Sequence, residues 1–160
     1  MTANTPHELK KRLWKELKNR AFVFIGLTGG ADRSVPMTLH TDGDNHRSLW
    51  IFTTKDGPLS ALGAAQAQYI AKDQDIFARI EGQIVSETDV AVIDRLWNAR
   101  VAAWYQGGRD DPNLAVVRFD VGDAEIWLAE ISPLTMVKMM VGANVRDDVQ
   151  DQHATVQAGT

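Results

Sequence analysis

The chain has no cysteine. Disulfides, cysteine-ligated zinc, iron–sulfur clusters and thiol catalysis are therefore excluded. Histidine is scarce, and His7, His40, His46 and His153 share no ligand spacing, so no metal site is expected. A large charge of one sign is also missing. Seventeen Lys and Arg stand against 21 Asp and Glu, a net charge of −4 with a pI near 5.5, which speaks against a broad nucleic-acid footprint. No apolar run approaches the ~20 residues of a membrane span. The first residues lack the basic-then-apolar order of a signal peptide. No serine sits in a Gly-x-Ser-x-Gly turn, which argues against a serine hydrolase. Gly29-Gly30 lacks the Gly-Lys-Ser/Thr ending of a phosphate loop. These absences leave a cytoplasmic protein with no nucleic-acid or membrane partner as the expectation.

What remains is ordinary globular material. Of 160 residues, 44% are hydrophobic and 24% charged, enough for one domain with a real core. That domain is expected over residues 1–145. Residues 146–160 read as a polar, frayed C-terminal tail.

Thr5-Pro6-His7-Glu8 has the form of a capping box. Leu9, Leu13, Trp14 and Leu17 then share one stripe, which predicts an amphipathic helix to about Asn19. Its basic face fits a membrane surface or a calmodulin-like partner less well than a solvated helix laid on a sheet. Ala21–Leu27 reads as a strand, and Thr28–Asp32 as a turn. Arg33–His40 and Leu49–Lys55 read as further strands around the loop Thr41–His46, whose Asp42-Gly43 signals a hairpin. Together these three strands predict an antiparallel meander. Pro58–Gln66, rich in alanine, predicts a short helix. Gln68–Lys72 and Asp75–Val85 predict two strands, the second with a bulge or close approach at Gly82. Val90, Ile93, Leu96 and Trp97 mark a helix over Asp89–Asn98. Val101–Gly108 is a short helix or turn. Leu114–Val121 and Ala124–Ala129 predict a last hairpin around Gly122-Asp123. Met136–Val141 forms an apolar cluster. About seven strands with helices between them describe an α+β domain on a closed or nearly closed antiparallel barrel.

The second strand of the expected hairpin delivers Thr53, Thr54 and Lys55 to the start of the expected Pro58 helix. Hydroxyls, backbone N–H groups, the helix dipole and an ammonium would together hold an anion such as a phosphate.

The order of these elements, with Val35-Pro36-Met37, Leu49-Trp50-Ile51-Phe52-Thr53-Thr54, Arg79-Ile80-Glu81-Gly82, Ala103–Pro112 (AWYQGGRDDP) and Ala124-Glu125-Ile126-Trp127, resembles the general stress protein 26 family. These are pyridoxamine 5′-phosphate oxidase-like, FMN-binding split barrels. The resemblance covers roughly Glu8 to Ala129. It implies an antiparallel six-stranded split β-barrel with flanking helices, and a homodimer with flavin sites between subunits. FMN is the implied cofactor, with riboflavin or another flavin as alternatives. Val35, Met37 and Thr38 would line the isoalloxazine ring. Phe52, Thr53 and Thr54 would border the ribityl chain and phosphate. Trp104 would approach the flavin from the partner subunit, or else pack in the core or at the dimer contact, and Trp127 would be structural. The family often has Ser and Lys where this chain has Gly57 and Leu59. That leaves Lys55, or Arg33 from the neighbouring strand, as the phosphate's cation. The implied activity is that of a flavin-dependent oxidoreductase. A non-enzymatic flavin carrier or stress-response sensor, and a pyridoxamine 5′-phosphate oxidase, are the alternatives. The Asp147, Asp148 and Asp151 tail would repel a second phosphate, which counts against the last.

Overall fold

The computed structural model describes residues 5–19, 21–30, 33–129, 133–144, 146 and 153–159. Helix α1 spans Pro6–Leu17, and its N-terminus is closed as the capping box requires. Glu8 N–H donates to Thr5 Oγ1 at 3.2 Å, and Thr5 N–H donates to Glu8 Oε2 at 2.8 Å. Leu9, Leu13, Trp14 and Leu17 are all buried. At about 1.5–3 kcal/mol for each large apolar side chain, this stripe holds the helix to the barrel far more firmly than its propensity would.

The strands are β1 (Phe22–Leu27), β2 (Val35–Thr38), β3 (Ser48–Thr54), β4 (Gly63–Ile70), β5 (Ile76–Ser86), β6 (Leu114–Leu128) and β7 (His153–Gln157). Between β5 and β6 lie the short helices α2 (Val90–Leu96) and α3 (Ala99–Ala102), and α4 (Pro133–Met140) follows β6. All pairings are antiparallel, and the order across the sheet is β2-β1-β4-β5-β6-β3, with β7 on β6. Six strands thus wrap into a barrel whose two end strands, β2 and β3, meet at one bridge between His40 and Trp50. The α+β split-barrel expectation holds.

Ile25, Ile51, Leu59, Ile76, Ile80, Phe119 and Ile126 fill the interior at zero exposure. A second, smaller cluster of Trp50, Ile93, Leu96, Leu114 and Val116 lies under α2 and α3. Strand β3 is buried on both faces for this reason: Leu49 and Ile51 enter the barrel while Trp50 faces the second cluster. Two-sided burial is what an unbroken Leu-Trp-Ile-Phe run encodes.

Four sequence expectations change. The meander stops at β1 and β2, because β3 forms its ladder with β6. Pro58–Gln66 is not a helix. Consecutive turns run to Leu62, and β4 begins at Gly63. Ala65, Ala67 and Tyr69 are buried while Ala64 and Gln68 are exposed, so the alanine-rich stretch follows the strand period of two. The expected hairpin at Gly122-Asp123 is one continuous 15-residue strand, β6. It pairs with β5 along both halves and passes from β3 to β7 on its other edge. The expected tail contributes β7, and Ala158 is fully buried, its carbonyl accepting from Trp14 Nε1 at 2.8 Å. Residues 147–152, which carry the acidic run, lie outside the described residues.

Gly82 behaves as its position suggests. The β5–β6 register shifts between Ile80 and Gly82, and a Cβ there would run into the Asp120 carbonyl and the Phe119 ring. No helix among the described residues is long and apolar enough to cross a membrane.

Candidate functional site

The barrel is closed at one point of its seam and open beyond it. His40 N–H donates to the Trp50 carbonyl at 2.8 Å, and Trp50 N–H returns the bond at 2.9 Å. Toward Val35 on one side and Thr54 on the other, β2 and β3 share no ladder among the described residues. The sequence-predicted residues therefore fall on two facing lips. One lip is β2, which among the described residues pairs only with β1 and has its other edge open. Val35 and Thr38 there are half-buried, and Met37 packs against the barrel core. The other lip is the end of β3, with Phe52 half-buried, Thr53 buried, Thr54 half-buried and Lys55 exposed. Arg33 is exposed, two residues ahead of β2.

His40 lies edge-on to Phe52 at 5.2 Å between ring centroids. Burial pushes its pKa below the ordinary 6.5, so the neutral ring is the form present at neutral pH. Phe52 in turn meets Trp97 at 5.7 Å, and Trp97 meets Tyr105 at 6.2 Å. An aromatic file thus backs the β3 lip.

The expected anion cradle loses its helix. Gly57 N–H donates to the Thr54 carbonyl, Ser60 N–H to Gly57 and Leu62 N–H to Leu59. Leu62 and Gly63, with φ of 59° and 106°, then turn the chain into β4. No helix dipole acts here, so any anion grip reduces to the hydroxyls, the backbone and Lys55. The family's Ser and Lys positions are also remade. A Cβ on Gly57 would lie 2.9 Å from Thr54 Oγ1 and 3.1 Å from Thr53 Oγ1, so both hydroxyls crowd over the glycine. Leu59 is fully buried in the barrel core, where a lysine would strand its charge.

Other residues brace this turn directly, beside a cavity of about 480 Å³ that Thr53, Thr54 and Lys55 help to line. Tyr105 donates its hydroxyl to the Thr53 carbonyl at 3.0 Å, and burial raises its pKa. Lys55 N–H donates to the Asn113 carbonyl at 3.0 Å. The Asp111 carboxylate accepts from Asn113 N–H at 2.9 Å and Gly107 N–H at 3.0 Å, which lowers its pKa. Arg109, on the same cavity wall, donates its Nε–H to Asp94 at 2.8 Å. Glu87, also on the wall, accepts from Trp50 Nε1 at 2.9 Å and from Asp89 N–H at 3.0 Å, with Arg118 3.7 Å away. Glu87 carries no periodic signal, and only Tyr105 to Pro112 stood out, as part of the quoted motif. Trp104 is 84% exposed; its neighbours Trp97 and Tyr105, not its own ring, reach Phe52 and Thr53. Trp127 stacks on His153 at 5.1 Å, with Arg79 5.7 Å from its ring.

The lips offer a flat apolar ligand an open strand edge, one half-buried aromatic ring and a polar end at Thr53, Thr54 and Lys55. A planar heterocycle with a polar chain fits that donor set.

Comparison with known proteins agrees with this fold. No curated protein matches the chain. Among solved structures, a general stress FMN/FAD binding protein from Xanthomonas citri shares 44% identity, with 79% of this chain and 92% of that one covered at a TM-score of 0.73. A general stress family protein from Xanthomonas campestris pv. campestris shares 42% identity over 82% and 93%, at 0.72. A general stress protein 26 from Jannaschia sp. CCS1 shares 26% identity over 96% and 99%, also at 0.72. The family model described as "pyridoxamine 5′-phosphate oxidase like" matches residues 8–151. With nearly the whole described barrel inside that match, the chain belongs to the pyridoxamine 5′-phosphate oxidase-like family.

Proposed function

We propose that this protein binds a flavin, FMN in the first place, along the open seam between β2 and β3. The parting of these strands beyond the His40–Trp50 bridge carries the reading. It leaves an unpaired strand edge on one lip and Phe52, Thr53 and Thr54 on the other. The 44% identical relative described as FMN/FAD binding supports it. Thr38 and the β2 backbone would meet the ring system, and Thr53, Thr54 and Lys55 the phosphate end. A bound flavin would supply redox chemistry, and the protein would orient it. The same reading includes a homodimer with the flavin sites between subunits.

A flavin-dependent oxidoreductase and a carrier or sensor without turnover share this site. Titration of the purified protein with FMN, FAD and riboflavin, followed by flavin absorption and fluorescence, tests the reading. Binding of FMN below tens of micromolar supports it; no binding of any flavin overturns it. If the reduced flavin complex is reoxidised by a candidate acceptor faster than by oxygen, the oxidoreductase is favoured.

A further inference from the structure

Thr53, Thr54 and Lys55, the phosphate end of the seam, are also one wall of the cavity of about 480 Å³. A phosphate takes up no more space than a few waters of about 30 Å³ each. The cavity therefore has room for a further group, and its volume lies within the range of small-molecule sites.

Part of the wall is apolar. Ile93, Leu114 and Val116 reach it from the smaller core cluster. Leu62 lines it as well, belongs to neither core cluster and is 38% exposed. Its φ of 59° lies in the left-handed region, which a β-carbon disfavours. A leucine held in that conformation on a cavity wall marks an apolar contact that the chain itself leaves unfilled.

The polar part of the wall divides into committed and uncommitted groups. Glu87 is held by Trp50, Asp89 and Arg118, and Asp111 by two backbone N–H groups. Arg109 gives its Nε–H to Asp94, and its terminal N–H groups have no hydrogen-bond partner among the described residues. The Lys55 ammonium and the Asp110 carboxylate have none either. Two cations suit a diphosphate. A carboxylate accepts the hydroxyls of a ribose. An apolar wall takes a flat base.

We infer that this cavity holds the adenosine monophosphate half of a flavin dinucleotide, so that seam and cavity together take FAD. The inference rests on the flavin reading above and extends it beyond the phosphate. Lys55 would serve the phosphate that FMN and FAD share, Arg109 the second phosphate and Asp110 the ribose, with the base against Leu62.

The test is equilibrium titration of the full chain with FAD, FMN and riboflavin at one fixed salt concentration, followed by flavin fluorescence and absorption. FAD is expected to bind at least as tightly as FMN. Arg109→Ala and Leu62→Gly are each expected to weaken FAD about threefold to tenfold and to leave FMN and riboflavin unchanged. Leu62→Gly removes the side chain at a backbone position that glycine adopts without strain, and circular dichroism of both variants is expected to match wild type. FAD binding weaker than FMN binding overturns the cavity as the nucleotide site. Folded variants that weaken FAD and FMN equally, or weaken neither, do the same. In each of these cases bound FMN leaves the seam reading standing. No binding of any flavin overturns the seam reading and this inference with it.

Discussion

His40 and Trp50 exchange both backbone hydrogen bonds, and among the described residues they are the sole bridge joining the two end strands of the barrel. The same two residues anchor the groups behind the seam. The His40 ring rests edge-on against Phe52, and the Trp50 indole holds Glu87.

The His40 position makes stability depend on acid. Burial lowers its pKa in the folded protein below the ordinary 6.5. The unfolded chain then takes up this proton more readily than the folded one. The contribution is full above about pH 6.5 and declines as the pH drops below it, levelling off beneath the folded value. Urea unfolding at pH 7.5 and pH 5 is expected to show a larger loss for wild type than for His40→Gln. Equal losses would show that the other groups account for all of it.

Trp50→Phe keeps the ring's apolar packing and deletes the donor to Glu87. Glu87 is 9% exposed, and its carboxylate would keep the Asp89 N–H and the longer Arg118 contact. A cost of about 1–3 kcal/mol is expected. Combining it with Glu87→Gln should be less than additive in chemical denaturation.

Lys55→Ala tests the phosphate grip. The ammonium is exposed and stands at a turn without a helix dipole. Its contribution should be about 1 kcal/mol or less. FMN is expected to weaken about threefold to fivefold, with riboflavin unchanged. An equal fall for both ligands would mean that Lys55 supports the turn instead.

Leu59→Lys restores the family's more usual residue and should not restore a phosphate contact. Leu59 is a fully buried plug of the barrel. An unpaired charge there is expected to cost about 3–5 kcal/mol, seen as a large drop in Tm. A stable variant with tighter FMN binding would refute the plug.

Gly82→Ala pushes a methyl group toward the Asp120 carbonyl and the Phe119 ring. The strands must part to admit it, at about 1–3 kcal/mol. Calorimetry checks this directly.

Local signals were the readable ones. The Thr5–Glu8 box, the Leu9-to-Leu17 stripe and the Gly82 irregularity each act within a few residues or one ladder, and all three appear as expected. Ala64 to Gln66 misled because alanine favours helix by itself, and only the barrel's two faces impose the strand period. Gly122-Asp123 has turn chemistry, but it forms a bulge opposite Glu81, and β5 pairs with β6 on both sides of it. Strand order was not legible, since nothing near β3 says that its partner lies some 65 residues ahead. At the site, Thr53, Thr54 and Lys55 could be named from sequence. Tyr105 and Asn113 could not be linked to them, because those contacts exist only after the loop folds back.

The Trp14–Ala158 hydrogen bond spans 144 residues. A ribosome adding about 5–20 residues per second completes that interval on the order of ten seconds after Trp14 is made. Throughout it, the apolar stripe of α1 has formed without the β7 strand that helps to cover it. The nascent chain therefore presents the apolar stripe of α1 before β7, which helps to cover it, exists.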